Sequence, residues 1–193
     1  MMSNESIPAN DLQQTSPLAQ QLIFPLVVID SVLWPADSSV SFISSADMPQ
    51  PYRGLLAHTH HMTVTVEAHY GGAVDVGVLE VGRTGDDYHR RIVLKLHGSD
   101  RIVQYGLVRI NLALLDAEVR DAIVAQSAPL GRILIEHNVL RRVEPTSFLR
   151  VTPGPTLCRH MALMRPSILY GRTGVIFCND QPAIAVLEVL SPI

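Results

Sequence analysis

Residues 73 to 112 constrain the fold most. The run AVDVGVLEVG (73–82) alternates apolar with small or polar residues. GDD leads into YHRRIVLKLHG (88–98), and SD turns that into RIVQYGLVRINL (101–112). Successive side chains of a strand point to opposite faces, so such alternation marks half-buried strands. Turns of two or three polar residues leave room only for antiparallel neighbours. The segment therefore predicts a three-stranded meander. In its middle run Ile92, Leu94 and Leu96 share one face. Arg91, Val93, Lys95 and His97 share the other, and Arg90 must point opposite to Arg91.

The flanks supply helices and more strands. From Tyr52 to Tyr70 two periods compete. MTVTVE alternates and is β-branched, as a strand would be. Leu55, Thr59, Met62, Val66 and Tyr70 recur at helical steps, and Gly71-Gly72 makes a helix stop, so a helix is predicted here. DAEVRDAIVAQ reads as a helix with Asp116 at its N-cap, and APLGRILIEH as a second short helix opened by Pro129. LRRVEPTSFLRV is extended, TPGPTLCRHMALM offers one helical turn, and YGRTGVIFCND with PAIAVLEVLSP forms a closing hairpin around Asn179 to Pro182. The stretch 35–51 reads as turn-rich linker. The order predicts an α+β domain, an antiparallel sheet covered by helices.

A chain of 193 residues suits one domain. Residues 1–18 are polar and read as a loose tail, leaving 19–193 as the domain. The formal net charge of −3 offers no basic surface for nucleic acid. Lys95 is the only lysine beside fourteen arginines, which leaves little scope for Schiff-base chemistry and favours bidentate carboxylate recognition. Cys158 and Cys178 have neither CxxC nor zinc spacing and fit a reduced, cytoplasmic protein. The first twenty residues lack a secretory pattern, and LIFPLVVIDSVLW (22–34) is too short to span a bilayer. His58, His60 and His61 crowd together, but the i, i+4 pair of a helical metal site is missing. They read as structural, with His61 placed to touch a ligand or gate its entry.

Four elements carry a family resemblance: HMTVTVEAHYGG (61–72), YHRRIVL (88–94), APLGRILIE (128–136) and LYGRTGVIFCNDQPAIAVLEVLSP (169–192). Together and in this order they resemble chorismate pyruvate-lyase, and more closely its uncharacterised sister family, over roughly residues 52 to 193. The resemblance implies a single antiparallel sheet with helices packed on it and a buried ligand pocket. It implies removal of pyruvate from chorismate to give 4-hydroxybenzoate, without metal or organic cofactor. It assigns the ring carboxylate to Arg91, three residues after Tyr88. Met62 and Leu130 contribute backbone to the ligand, and Glu188 faces the oxygen at ring position 4. Arg172 is the leading candidate for a second carboxylate, with Arg141 and Arg150 as rivals. The longer stretch between PLGR and YGR departs from the lyase pattern. The same fold also serves as a ligand-sensing domain, so a non-catalytic binder of aromatic acids is the alternative.

Independent physical reasoning points the same way for two residues. Glu188 sits in AIAVLEVLSP, otherwise apolar, where burial would favour a protonated carboxyl able to act as an acid. An arginine amid the apolar residues of 88–96 needs an anionic partner, from the protein or from a ligand.

Overall fold

The computed structural model describes residues 34–193. The tail expected at 1–18 and most of the apolar run 22–34 lie outside them. The described residues form β1 (Ser39–Ile43), α1 (Tyr52–Leu56), α2 (Met62–Tyr70), β2 (Val74–Thr84), β3 (Asp87–Leu96), β4 (Ile102–Asn111), α3 (Ala117–Ala125), α4 (Leu130–Glu136), β5 (Arg141–Thr152), α5 (Pro155–His160), β6 (Leu169–Cys178) and β7 (Gln181–Leu190). The strands make one seven-stranded sheet in the order β1-β5-β6-β7-β4-β3-β2, with every neighbour antiparallel. The predicted α+β architecture is what the chain adopts.

Local chemistry accounts for the turns. Gly85 (φ 60°) and Gly98 (φ 69°) close the two meander hairpins in the left-handed region, where a side chain is strained. Asn179 (φ 50°) and Asp180 (φ 60°) close β6–β7, as a two-residue hairpin with positive φ at both positions requires. Gly71 (φ 70°) ends α2 by donating its N–H to the Glu67 carbonyl. Helical periodicity therefore prevails over β-branching at 62–70. The helix predicted from Tyr52 is split, because residues 57–61 form an irregular loop between α1 and α2. The linker expected at 35–51 contains the edge strand β1, which pairs with β5 from Ser39↔Thr152 to Ile43↔Phe148.

Both faces of the sheet are covered. Helices α1 to α4 pack on the face that carries Ile92, Leu94, Val108 and Ile184. Val93, Tyr105, Leu107 and Leu187 of the other face pack with Leu157 of α5, Met161 and Trp34. Leu134 and Ile123 are fully buried under α3 and α4, each such side chain contributing about 1.5–3 kcal/mol. On β3 the helix-covered face buries Tyr88, Arg90, Ile92 and Leu94, and the other face buries Val93 alone. Alternation along β3 decides which of its two adjacent arginines meets the helices.

Candidate functional site

A cavity of about 40 Å³ lies between the helical layer and the centre of the sheet. Its floor is a lattice of strand residues whose register is fixed. Arg90 pairs with Val108, Ile92 with Gly106, and Leu94 with Gln104. Across β4, Val108 pairs with Val186, Gly106 with Glu188, and Gln104 with Leu190. Gly106 makes room for the Ile92 side chain to lie over the middle of this floor. A Cβ there would stand 3.1 Å from Ile92 Cδ1 and 3.3 Å from Cγ1. The roof is made by the first turns of two helices, His61 to Thr63 of α2 and Pro129 to Gly131 of α4. Gly131 is what lets them meet, since a Cβ there would lie 2.9 Å from Thr63 Oγ1 and 3.1 Å from His61 Cβ. Arg132 of α4 also bridges to Glu67 of α2, which accepts the Val74 N–H at 3.0 Å as well.

Arg90 is the dominant charge on the wall. It is 1% exposed, and its Nε and Nη1 make no hydrogen bond among the described residues. Burial lowers its pKa from the ordinary arginine value, and Tyr88 alongside opposes that. Neither roofing helix has a side-chain cap at its N-terminus, so no side chain takes up its first-turn N–H groups. Those groups add positive potential at the same wall. Gln104, 3% exposed, presents an Oε1 with no partner among the described residues.

Glu188 also lines the cavity, and its Oε2 accepts a 2.8 Å bond from Arg172 Nε. Arg172 is 1% exposed and stands behind Glu188 rather than on the cavity wall. Its remaining donors grip the histidine-rich loop, at 3.2 Å to the Leu56 carbonyl, 2.7 Å to that of His58 and 3.0 Å to that of His60. His58 completes this knot. Its Nε2 donates to the Leu55 carbonyl at 2.8 Å and its Nδ1 accepts the His60 N–H at 3.0 Å. His61 accepts a 2.9 Å bond from Arg141 Nε at its Nε2. Burial, then the nearby Arg141 and Arg172 charges, push His61 down to about 4, so it is neutral at pH 7.

The structure brings together Met62 (2% exposed), Leu130 (9% exposed) and Glu188 from the residues singled out in the sequence. It separates Arg91 from them. Arg91 lies on the opposite face of β3, where it pairs with Glu80 at 3.0 Å beside Tyr105, whose hydroxyl pKa burial pushes up while Arg91 opposes that. Alternation allows only one of two adjacent arginines to face the helices, and the register gives that place to Arg90. Arg172, the leading candidate for a second carboxylate, lies off the cavity wall and supports Glu188 and the loop. Arg141 holds His61 and the Val139 carbonyl, and Arg150 is exposed. The cavity wall also carries Arg90 and Gln104, which the sequence reading did not single out. Placement on the Ile92 face signalled Arg90, whereas Gln104 had no comparable cue. Among the described residues no three His, Cys, Asp or Glu side chains are grouped to hold a metal, and no helix is long and apolar enough to cross a membrane.

No family model and no curated protein matches the sequence. Solved structures do overlap it. The ligand-binding domain of a protein assigned to the GntR-family regulators of Bordetella bronchiseptica is 14% identical, over 61% of this chain and 85% of that one, with a TM-score of 0.47. A GntR-family transcriptional regulator from Bacillus cereus is 14% identical, over 62% and 92%, with a TM-score of 0.40. YydK from Bacillus subtilis is 11% identical, with a TM-score of 0.44, and the match spans 57% of its length. These overlaps are partial and distant, and give this chain no residue roles.

Proposed function

We propose that this domain binds a small aromatic carboxylic acid in the cavity beneath α2 and α4. Arg90 carries the reading. Two nitrogens of this buried guanidinium lack partners among the described residues, and a buried charge left without a partner costs several kcal/mol. A ligand carboxylate supplies two acceptor oxygens in the matching fork geometry. The surrounding floor of Ile92, Val108, Ile176 and Val186 is apolar and suits an aromatic ring.

The roof must lift for a ring to enter. The cavity of about 40 Å³ holds a few waters, whereas benzene occupies an engineered cavity of about 150 Å³. The roofing helices are seated by Met62, Val66, Ile133 and Leu134, and polar links tie them and the loop at 57–61 together (Arg172 to the loop carbonyls, Arg141 to His61, Arg132 to Glu67). The irregular loop at 57–61 is where such opening would start, because irregular segments open at lower cost than strands of the sheet.

A second reading is favoured by one observation, the Glu188 carboxylate on the same wall. It is the cleavage of chorismate to 4-hydroxybenzoate and pyruvate. The enolpyruvyl ether bond breaks, a ring hydrogen leaves as a proton, and the ring becomes aromatic. In that reading Glu188 stands by the oxygens of the reacting ring and Arg90 holds its carboxylate. The experiment is direct. Purified protein is incubated with chorismate while pyruvate and 4-hydroxybenzoate are followed, and 4-hydroxybenzoate binding is measured in parallel. Equal release of both products above background supports the lyase. Binding without turnover supports the binding domain alone. Absence of both overturns both readings.

A further inference from the structure

We infer that Gln104 is a specificity-determining residue, selecting aromatic acids with two adjacent hydroxyls opposite the carboxylate. The inference rests on the proposed function and extends it to the substituents of the ring. Three polar side chains reach the cavity from the sheet: Arg90 on β3, Gln104 on β4 and Glu188 on β7. Their positions follow from the register. Gln104 lies two residues from Gly106 along β4, and Glu188 lies directly beside Gly106. Strand spacings of about 4.8 Å across and 3.4 Å along the sheet then put the Gln104 and Glu188 Cα atoms about 8 Å apart. By the same spacings Arg90 is about 12 Å from Glu188 and about 14 Å from Gln104.

The cation therefore stands at one end, and two acceptors stand together at the other. Between them the Ile92 side chain packs over Gly106 and gives an apolar floor for a ring. Gln104 Oε1 is buried without a partner among the described residues. A ligand with one hydroxyl at the far end satisfies Glu188 and leaves the amide oxygen bare. A second hydroxyl, adjacent to the first, donates to Oε1 and removes that penalty. Sites built to hydrogen-bond a hydroxyl discriminate strongly against ligands lacking it, because the site's own polar group is otherwise stranded.

The test is a calorimetric titration of the full chain with 4-hydroxybenzoate and with 3,4-dihydroxybenzoate, repeated on Gln104→Leu. The expected result is an affinity for the dihydroxy acid higher by about tenfold or more in the unaltered protein. In Gln104→Leu the ratio of the two affinities falls to about one. Equal affinities in the unaltered protein, or a ratio that survives the substitution, overturn the role of Gln104. In those cases binding that is lost in Arg90→Met would leave the proposed function standing. If neither acid binds, the proposed function and this inference fall together.

Discussion

Replacing Arg90 with methionine should make the protein without ligand more stable. The side chain is 1% exposed, and two of its three guanidinium nitrogens have no partner among the described residues. Each stranded buried donor costs about 1–3 kcal/mol. Methionine keeps most of the stem volume and carries no donors. Exchanging buried ionic groups for apolar ones of similar volume often stabilises a fold by about 1–4 kcal/mol. A net gain of about 1–3 kcal/mol is expected here, or roughly 2–4 °C of Tm per kcal/mol for a domain of this size. Arg91→Met is the internal control. Arg91 pairs with the half-exposed Glu80 on the other face, so its loss should destabilise by about 1 kcal/mol or less. Thermal and urea unfolding of the three proteins measures both effects. A loss of stability in Arg90→Met comparable to that in Arg91→Met would refute the reasoning, because it would mean the protein itself satisfies Arg90.

Gly131→Ala places a Cβ 2.9 Å from Thr63 Oγ1; overpacking of this kind costs about 1–3 kcal/mol, and should lower the Tm and weaken aromatic-acid binding together. Arg172→Met strands Glu188 and releases the carbonyls of Leu56, His58 and His60. It should destabilise by about 3–5 kcal/mol and speed amide hydrogen exchange in residues 57–61 more than in the strands. His61 binds a proton less readily when folded, at about 4 against an ordinary 6.5. Its contribution is therefore whole above about pH 6.5 and is lost as the pH falls toward 4, by about 3 kcal/mol in all. His61→Gln should flatten that limb of the stability–pH curve.

The sheet was legible because its hairpins combine clean alternation with glycine or Asn-Asp turns. The strand β1 was not. SVSFI lies at the sheet edge with Ser39, Ser41 and Phe42 exposed, so it lacks the apolar face that marks a strand. The adjacent arginines show how a clear period can still leave the choice of face open. Ile92 and Leu94 share a face with Arg90, and that alternation was plain from the sequence. Yet Val93 on the other face is equally buried, so periodicity alone did not show which face met the ligand. The resemblance points to Arg91, whereas the register sets Arg90 on the cavity face. Arg172 was recognised as important, but its partners come from residues more than a hundred positions away in the chain. Such a link between β6 and the loop at 57–61 leaves no trace in local sequence.

The central claim is that Arg90 anchors a ligand carboxylate. It is tested most directly by calorimetric titration of 4-hydroxybenzoate into the unaltered protein, Arg90→Met and Arg91→Met. Loss of a charge-assisted pair in a buried site weakens binding by about a hundredfold or more. The account predicts that loss in Arg90→Met and near-normal affinity in Arg91→Met. Normal affinity in Arg90→Met, with the loss appearing in Arg91→Met, would contradict it and move the site to the opposite face of the sheet.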